Sequence, residues 1–240
     1  MKKFLKQLIK KTFNQIGLDI NRRSKSPANS LLGLKRLPIN TIIDVGANNG
    51  QFSKYIKNFF PEARFYCFEP LSEPFKELKQ WSDRQRNGRT TAFNFALGDT
   101  EGITEMFYHI EYNQSSSFLK TTKVCENLYP FTKKQKTISV EQTALDKWAK
   151  ALSSPLEPEI LIKLDVQGYE DRVIRGGRET FNIAKVSILE INIAHLYEHQ
   201  AMFEDIFLLL YDLGYRYAGN LDQSYADDGH IIHIDAVFIK

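Results

Sequence analysis

The chain has 240 residues, of which 42% are hydrophobic and 25% are charged, a balance typical of a folded protein with one substantial core. The net charge of +3 is unevenly distributed, because residues 1–25 carry eight Lys or Arg and one Asp, whereas residues 26–240 are mildly acidic. An acidic body argues against an extended nucleic-acid interface, which needs Lys and Arg across the folded surface.

The first segment is predicted to form an amphipathic helix. Its sequence is MKKFLKQLIKKTFNQIGLDI, and the apolar residues on one helical face are Phe4, Leu5, Leu8, Ile9, Phe13 and Ile16. We expect this helix to pack on the body of the protein; the alternative is peripheral contact with an anionic membrane surface. Lysines interrupt the apolar run, so neither a signal peptide nor a transmembrane helix is predicted. We therefore expect a cytoplasmic protein, in the alternative one peripheral on the inner membrane surface.

From residue 37 onward, apolar strand-like segments alternate with amphipathic helical ones, which is typical of a doubly wound α/β sheet. The predicted strands are 41–47, 64–69, 91–97, 159–165, 185–192, 215–218 and 231–239. Helices are predicted to begin near Gly50, Ser72, Gly168 and Ala201. Residues 102–140 fit no helix well and are predicted to be an insertion of strands and loops that covers one end of the sheet. The chain thus divides into a helix with its linker, 1–36, and one domain, 37–240.

Four of the predicted strands carry an acidic residue at or near the carboxyl end. These residues are Asp44, Glu69, Asp99 and Asp165. In a doubly wound sheet, ligands bind beyond the carboxyl ends of the strands, where the strand order reverses. The coincidence predicts a binding site at that edge.

The first strand leads into a glycine turn, in the sequence IIDVGANNGQF. A dinucleotide fingerprint needs glycine at the third and sixth positions counted from Gly46, but those positions hold Asn48 and Gln51. No phosphate loop follows either. The turn suits a smaller ligand whose amino acid portion approaches it while a ribose reaches the next strand end, and S-adenosylmethionine has that shape.

Three residues of this segment, and Glu69 at the end of the next strand, have predicted tasks. Gly46 would let the backbone pass close to the ligand, and Gly50 would open the following helix without a side chain in the way. Asp44 would hold the turn or bind the donor's amino group through water. Glu69 would accept both ribose hydroxyls in charge-assisted hydrogen bonds. An acid also ends the second strand of NAD enzymes, so the missing glycine pattern decides for S-adenosylmethionine.

Several motifs resemble the FkbM-type methyltransferases in order and approximate spacing. They are IIDVGANNGQFS, CFEP, NFALGD, SSSFL, TALDKW, LIKLDVQGYE, VIRGG and ILEIN. The resemblance implies a class I methyltransferase (Rossmann-like) fold, mostly parallel with an antiparallel last strand, and O-methylation of a hydroxyl on a sugar, polyketide or similar metabolite. It also implies that the donor site is lined by Asp44, Gly46, Asn48, Gly50, Glu69, Asn94, Ala96, Leu97 and Asp99. One departure is Gln167, because the family usually has Glu there and Gln cannot take a proton.

The segment KLDVQGYE is predicted to carry the chemistry. Asp165 would lie close to the reactive methyl group, as a general base, as a hydrogen-bond acceptor for the substrate, or as a ligand of a divalent metal shared with Glu190 or Asn192. The metal-free interpretation is preferred. Lys163 is a catalytic candidate that would equally form an ion pair with Asp165.

Two further residues are candidates for catalysis. Glu170 lies just inside the next helix, where it would also favour the helix dipole. His195 has a suitable ordinary pKa for a base, although a surface position is the commoner outcome for such a histidine.

The acceptor is predicted to bind at polar residues around Asp165. The candidates are Asn113, Ser115, Ser116, Ser117, Gln167 and Glu190. The segment DDGHIIHID invites a metal site at Asp228, His230 and His233, but strand alternation puts the two histidines on opposite faces. The cysteines, Cys67 and Cys125, lack metal-site spacing and are predicted to be reduced packing residues.

These observations together predict an S-adenosylmethionine-dependent O-methyltransferase that acts on a hydroxyl of a sugar, glycan or secondary metabolite. Its partner would be a small-molecule or glycan acceptor and not a nucleic acid. The alternatives are a non-catalytic adenosine- or nucleotide-binding module and a membrane-surface partner protein that works through the N-terminal helix.

Overall fold

The computed structural model describes residues 9, 11–13, 15–16, 26–85 and 88–240. The predicted amphipathic helix and the start of its linker fall on residues 1–25, so that prediction lies almost entirely outside the described residues. Of the helices in the described ranges, none has the length and apolar character needed to cross a membrane.

The described chain consists of strands and short helices. The strands are β1 (Thr41–Val45), β2 (Arg64–Phe68), β3 (Thr90–Phe93), β4 (Ala96–Gly98), β5 (Gly102–His109), β6 (Gln135–Ala144), β7 (Ile160–Leu164), β8 (Val186–Asn192), β9 (Arg216–Tyr225) and β10 (Ile231–Ile239). The α-helices are α1 (Pro27–Ser30), α2 (Gln51–Ile56), α3 (Ser72–Asp83), α4 (Lys123–Leu128), α5 (Leu145–Lys150), α6 (Glu170–Gly176), α7 (Arg178–Ile183) and α8 (Phe203–Asp212). Three 3-10 helices cover Leu31–Arg36, Asn113–Ser115 and Pro130–Lys133.

The main sheet has seven strands in the order β3-β2-β1-β7-β8-β10-β9. The β1, β2, β3, β7 and β8 strands pair in parallel, whereas β10 is antiparallel to both of its neighbours. This arrangement confirms the predicted doubly wound, mostly parallel sheet with an antiparallel last strand. Strand order reverses beside β1, which pairs with β2 on one side and β7 on the other, so the ligand site is expected at the carboxyl end of β1.

Both faces of the sheet are buried. On one face, Val45 and Leu164 pack with Phe181 of α7. On the other, Ile42 and Leu161 belong to a second apolar cluster that includes residues of α2 and α3. Burial on both faces explains why the central strands read as continuous apolar runs. It leaves the strand ends as the place where polar groups meet.

The structure corrects the prediction of one strand over 91–97. The chain forms β3 and β4 instead, and these belong to different sheets. Asn94 lies at the turn between them, where its side-chain amide donates to the carbonyls of Glu69 and Pro70 at 2.9 and 3.0 Å. The turn is therefore fixed by a polar side chain within an otherwise strand-like sequence.

The insertion predicted over 102–140 contains strands, as expected, and also a helix that was not. The β5 and β6 strands pair antiparallel, and β4 joins them in a three-stranded sheet of the order β4-β6-β5. The unpredicted helix is α4, whose N-cap Thr122 accepts the N–H of Cys125. The predictions also omitted α5 and α7, and the strand predicted over 215–218 extends through β9 to Tyr225.

Candidate active site

A cavity of about 320 Å³, here called the first cavity, lies at the carboxyl ends of β1, β2 and β7. Many of the predicted site residues line it. They are Asp44, Gly46, Asn48, Glu69, Ala96, Leu97, Asn113, Ser116, Lys163, Asp165 and Glu190. The topology thus brings together residues that are far apart in sequence, as the coincidence of acidic strand ends predicted.

The Glu69 carboxylate is held in one orientation. Its Oε2 accepts the backbone N–H of Asn48 at 2.8 Å, and its Oε1 accepts that of Leu71 at 2.7 Å. Burial raises the pKa of Glu69 to about 7, although both N–H groups favour the charged form. A carboxylate oxygen has more than one acceptor position, so each oxygen can take a further hydrogen bond from a ligand hydroxyl.

Asp44 joins the end of β1 to α2. Its carboxylate accepts a hydrogen bond from the Ser53 hydroxyl at 2.6 Å, and its side chain is buried. Burial raises the pKa of Asp44 to about 6, against the lowering effects of Ser53 and Lys163. The contact agrees with the prediction that Asp44 holds the turn, and Ser53 is a contributor that the sequence did not reveal.

The glycine turn packs closely against the end of β7, a contact that the sequence does not reveal. Gly46 has a φ of +76°, and a Cβ there would lie 1.9 Å from the backbone oxygen of Asp165. Gly50 has a φ of +91° and precedes α2, outside the cavity lining. Asn48 has a φ of +46°, and its side-chain amide donates to Asn113 at 3.3 Å. Gly46 is therefore required by the contact between two strand ends, whatever ligand approaches it.

Lys163 lies among several acidic side chains. It is the β7 neighbour of Asp44 on β1, and its Nζ is 3.3 Å from Asp165 Oδ2. Burial alone would lower the pKa of Lys163, but the carboxylates of Asp165, Asp235 and Glu190 raise it above its ordinary value. Lys163 is thus a buried ammonium that balances part of an acidic site.

Gln167 connects the two carboxylates on its sides. Its Nε2 donates to Asp165 Oδ1 at 2.9 Å and to Glu190 Oε1 at 2.6 Å. Its Oε1 accepts the Tyr197 hydroxyl at 2.8 Å. Burial, followed by the charge of Asp165, raises the pKa of Glu190 well above its ordinary value. The amide at position 167 therefore supplies the hydrogen bonds that hold two carboxylates side by side.

A second cavity of about 470 Å³ adjoins the first. Both cavities are lined by Gln114, Asp165 and Glu190. The remaining residues of the second cavity are Tyr112, Ser115, Cys125, Tyr129, Phe131, Thr132, Gln167, Asn192, Leu196, Tyr197 and His233. Asp165 and Glu190 therefore lie where two ligands, one in each cavity, would meet.

Six predicted site residues lie outside the linings of both cavities. They are Gly50, Asn94, Asp99, Ser117, Glu170 and His195. Buried Glu170 accepts the backbone N–H groups of Val166 and Gly168, both at 3.2 Å, and so stabilises the chain after β7. The Ser117 hydroxyl donates to a backbone carbonyl at 2.7 Å, and His195 is exposed. Their positions indicate that Glu170 and Ser117 support the fold and that none of the three residues touches the reacting atoms.

The sequence predictions omitted several residues that the structure brings to the cavities. Tyr197 lies two residues beyond His195 but points its hydroxyl to Gln167, and it is buried. His233 lines the second cavity and Asp235 the first. Their two-residue spacing within apolar β10 is a sign of one shared face that was available in the sequence. His230, by contrast, forms hydrogen bonds to Asp228 within its own exposed turn.

The chain is similar to known methyltransferases. A family model described as the methyltransferase FkbM domain matches residues 44–217. A 2-O-methyltransferase NoeI from Sinorhizobium fredii is 29% identical over 188 residues, which cover 75% of this chain and 74% of that protein. The family match spans the strand ends that carry Asp44, Glu69 and Asp165.

Solved structures similar to this chain include an rRNA methylase and a fibrillarin. One is an rRNA methylase from Streptococcus thermophilus, with a TM-score of 0.43, 10% identity and coverage of 93% of this chain and 99% of that one. The other is fibrillarin from Aeropyrum pernix, solved with natively bound S-adenosyl-L-methionine, with a TM-score of 0.47, 13% identity and coverage of 88% and 72%.

Proposed function

The chain belongs to the FkbM methyltransferase family, and from this membership we propose that it transfers a methyl group from S-adenosylmethionine to a hydroxyl oxygen of a sugar, glycan or secondary metabolite. Family membership makes it an S-adenosylmethionine-dependent methyltransferase, and its sheet is the class I methyltransferase type that the resemblance implied. The observation that carries the proposal is the meeting of two cavities at Asp165 and Glu190.

The first cavity fits the methyl donor. Glu69 presents two fixed carboxylate oxygens, which suit the paired hydroxyls of a ribose. The turn that holds Gly46 and Asn48 lines the same cavity and would receive the amino acid portion. The acidic groups around Lys163 outnumber it, so the cavity favours a positively charged sulfonium. When bound, the donor supplies an electrophilic methyl group.

The chemistry needs alignment and removal of one proton. The acceptor's hydroxyl oxygen forms a bond to the methyl carbon as the bond from that carbon to sulfur breaks, and S-adenosylhomocysteine leaves. Asp165 is our choice for the group that takes the hydroxyl proton and passes it to water, because its carboxylate lines both cavities and is partly exposed. Lys163 and Gln167 orient it from two sides. His195 is disfavoured by its position outside both cavities.

A divalent metal is not part of this proposal. The position among the carboxylates is taken by the ammonium of Lys163, which has charge interactions with Asp165, Asp235 and Glu190. Methyl transfer to a correctly aligned hydroxyl also needs no Lewis acid when a carboxylate can accept the hydroxyl proton.

The choice of oxygen as the methylated atom has two supports. The relative from Sinorhizobium fredii is named a 2-O-methyltransferase. In this chain, carboxylate and amide oxygens predominate around the junction of the cavities, and such acceptors bind hydroxyl donors. We propose a small-molecule or glycan acceptor, since the mildly acidic body disfavours a nucleic acid, and we also propose a cytoplasmic location.

The test combines donor binding and methyl transfer. Calorimetric titration with S-adenosylhomocysteine should show saturable binding to the wild-type chain, and tritiated S-adenosylmethionine should label a hydroxyl acceptor from a panel of methyl glycosides and polyols. Asp165→Asn should keep donor affinity and lose transfer, whereas Asp99→Asn, an exposed strand-end control, should keep both. Absence of donor binding by the wild type would refute the proposal.

A further inference from the structure

The second cavity contains a buried polar group without a partner. Asn192, the last residue of β8, is 3% exposed and lines this cavity. Its side-chain Oδ1 has no hydrogen-bond partner within the part of the chain that the structure describes. Leaving such a group unpaired is costly, and native proteins rarely do so unless a ligand or water completes it. The amide oxygen is therefore an unsatisfied acceptor on a residue that lines the second cavity.

Asn192 and Glu190 form a pair of acceptors with a defined spacing. They are two residues apart on β8, so their side chains point to the same face. A strand rises about 3.3 Å per residue, which places the two side chains roughly 6.6 Å apart along β8. A hydroxyl reaches its acceptor over about 2.7 Å. This spacing suits two hydroxyls on neighbouring atoms of one ligand, each bonded to one acceptor.

Three neighbouring aromatic residues, here called the aromatic wall, line part of the second cavity: Tyr112, Tyr129 and Phe131. The ring of Phe131 lies 5.0 Å from that of Tyr112 and 5.7 Å from that of Tyr129, measured between centroids. All three residues line the cavity, together with apolar Leu196. A ligand here needs an apolar face for the aromatic rings and a polar edge for the acceptors.

The charges of the second cavity indicate a neutral ligand. Asp165 and Glu190 are its acidic residues, and its described lining holds no Lys or Arg. His233 also lines it; its Nδ1 is 2.9 Å from the Ser224 hydroxyl, and burial lowers the pKa of the ring. An anionic ligand would thus meet Asp165 and Glu190 with no Lys or Arg in the described lining, because Lys163, the cation beside Asp165, lines the first cavity instead.

We propose that the second cavity is the acceptor pocket, that it binds an uncharged ring with two neighbouring hydroxyls, and that Asn192 recognises the hydroxyl next to the one that is methylated. This inference rests on the proposed function, because it assigns the first cavity to the methyl donor. Asn192 is then a specificity-determining residue. It accepts a hydrogen bond from the acceptor while Asp165 and Glu190 face the reacting hydroxyl.

The first experiment measures binding of neutral glycosides to the full chain. The protein is saturated with S-adenosylhomocysteine and titrated with the methyl glycosides of glucose, galactose, mannose, fucose and rhamnose, followed by saturation-transfer NMR. At least one glycoside should bind. If S-adenosylhomocysteine binds but none of the glycosides does, the acceptor-pocket inference is overturned while the proposed function stands. If S-adenosylhomocysteine itself does not bind, the proposed function fails.

The second experiment combines a substitution at Asn192 with removal of single hydroxyls from the ligand, as in a double-mutant cycle. For the glycoside that binds best, each monodeoxy analogue is compared with the parent in wild type and in Asn192→Leu. In the wild type, removing the hydroxyl that Asn192 binds should weaken binding by about tenfold, the scale of one neutral hydrogen bond. In Asn192→Leu the parent and that analogue should bind equally. An undiminished preference for the parent in Asn192→Leu would overturn the assignment.

Thermal unfolding separates recognition from a structural role. Asn192→Leu removes an unpartnered buried oxygen, so the ligand-free variant should unfold at the wild-type temperature or above it. A marked fall in that temperature would show that the amide supports the fold instead.

Contact of the ligand with the aromatic wall is tested by one substitution in the wall and one matched control elsewhere. Phe131→Ala should weaken every glycoside by a similar factor, because its ring would cover an apolar face that they share. Tyr211→Ala removes an exposed aromatic side chain on α8, outside both cavities, and should leave binding unchanged. Equal effects of the two variants would contradict the placement of the ligand against the aromatic wall.

Discussion

Replacing Glu69 with Gln tests the donor site at its most constrained group. In the wild type, the two carboxylate oxygens accept the N–H groups of Asn48 and Leu71 at 2.8 and 2.7 Å. Gln keeps one acceptor but turns the other oxygen into an NH₂ group that faces an N–H donor. The variant therefore removes the charge that would bind the ribose and also creates a local conflict between two donors.

The two effects of Glu69→Gln have separate magnitudes. Hydrogen bonds to a charged group contribute about 1.5–3 kcal/mol, so donor affinity should fall roughly 10- to 150-fold. An unpaired buried N–H costs about 1–3 kcal/mol of folding stability. For a chain of this size, each kcal/mol lowers the unfolding temperature by about 2–4 °C. Affinity and unfolding temperature together distinguish loss of ribose binding from loss of structure.

Glu69 also predicts a pH dependence of donor binding. Because burial raises its pKa to about 7 in the free protein, the carboxyl holds a proton below that pH. The ribose hydroxyls need the ionised form, so affinity should fall as pH decreases below about 7, by up to about tenfold per pH unit. Asp44, with a pKa of about 6, would add a second decrease at lower pH. Glu69→Gln should abolish the first decrease and keep the second.

Calorimetric titration with S-adenosylhomocysteine between pH 5.5 and 8.5 measures both effects. Glu141→Gln, at an exposed position on β6, is the matched control and should behave as wild type. A Glu69→Gln affinity within twofold of wild type at pH 8 would refute the ribose assignment. So would a wild-type affinity that does not change across pH 7.

Three further predictions concern the chemistry and the N-terminal segment. Asp165→Asn should leave S-adenosylhomocysteine affinity nearly unchanged and lower single-turnover methyl transfer by roughly 10²-fold or more, and near-normal transfer would remove Asp165 as the base. A metal chelator should not change wild-type transfer, because Lys163 supplies the cation among the carboxylates; a loss of activity that Mg²⁺ or Mn²⁺ restores would contradict this. Deletion of residues 1–25 should leave donor affinity unchanged, since every proposed donor contact lies after Leu37, and an affinity loss beyond twofold would count against it. In the same variant, liposome sedimentation and the unfolding temperature report whether the segment binds membranes or packs on the body.

The acidic strand ends could be predicted because the same short pattern, an apolar run followed by an acid, occurs at each of them. Each of Asp44, Glu69 and Asp165 follows an apolar run, and parallel strands place their carboxyl ends on one edge. The sequence could not show the contacts that fix them. Glu69 is oriented by two backbone N–H groups, and Asp44 by Ser53, through hydrogen bonds that form only after folding.

Other features depended on long-range partners that leave no local pattern. The run 91–97 reads as one strand, yet β3 pairs with β2 and β4 pairs with β6 across the insertion. The ordinary pKa of a histidine makes His195 a second choice of base, but it has the commoner surface position, exposed in the loop after β8, whereas Tyr197 points inward to Gln167. The acceptor side of the site is built from the insertion and from β10, so only the tertiary structure reveals that Tyr112, Phe131 and His233 share one cavity.

In the proposed reaction, a donor bound at Glu69 presents its methyl group at Asp165, beside the second cavity. A crystal structure of the full chain with S-adenosylhomocysteine tests this directly. We expect both ribose hydroxyls to lie about 2.7 Å from the Glu69 carboxylate, with the sulfur facing Asp165 and the junction of the two cavities. A ribose bound away from Glu69, or a sulfur separated from Asp165 by protein, would contradict it.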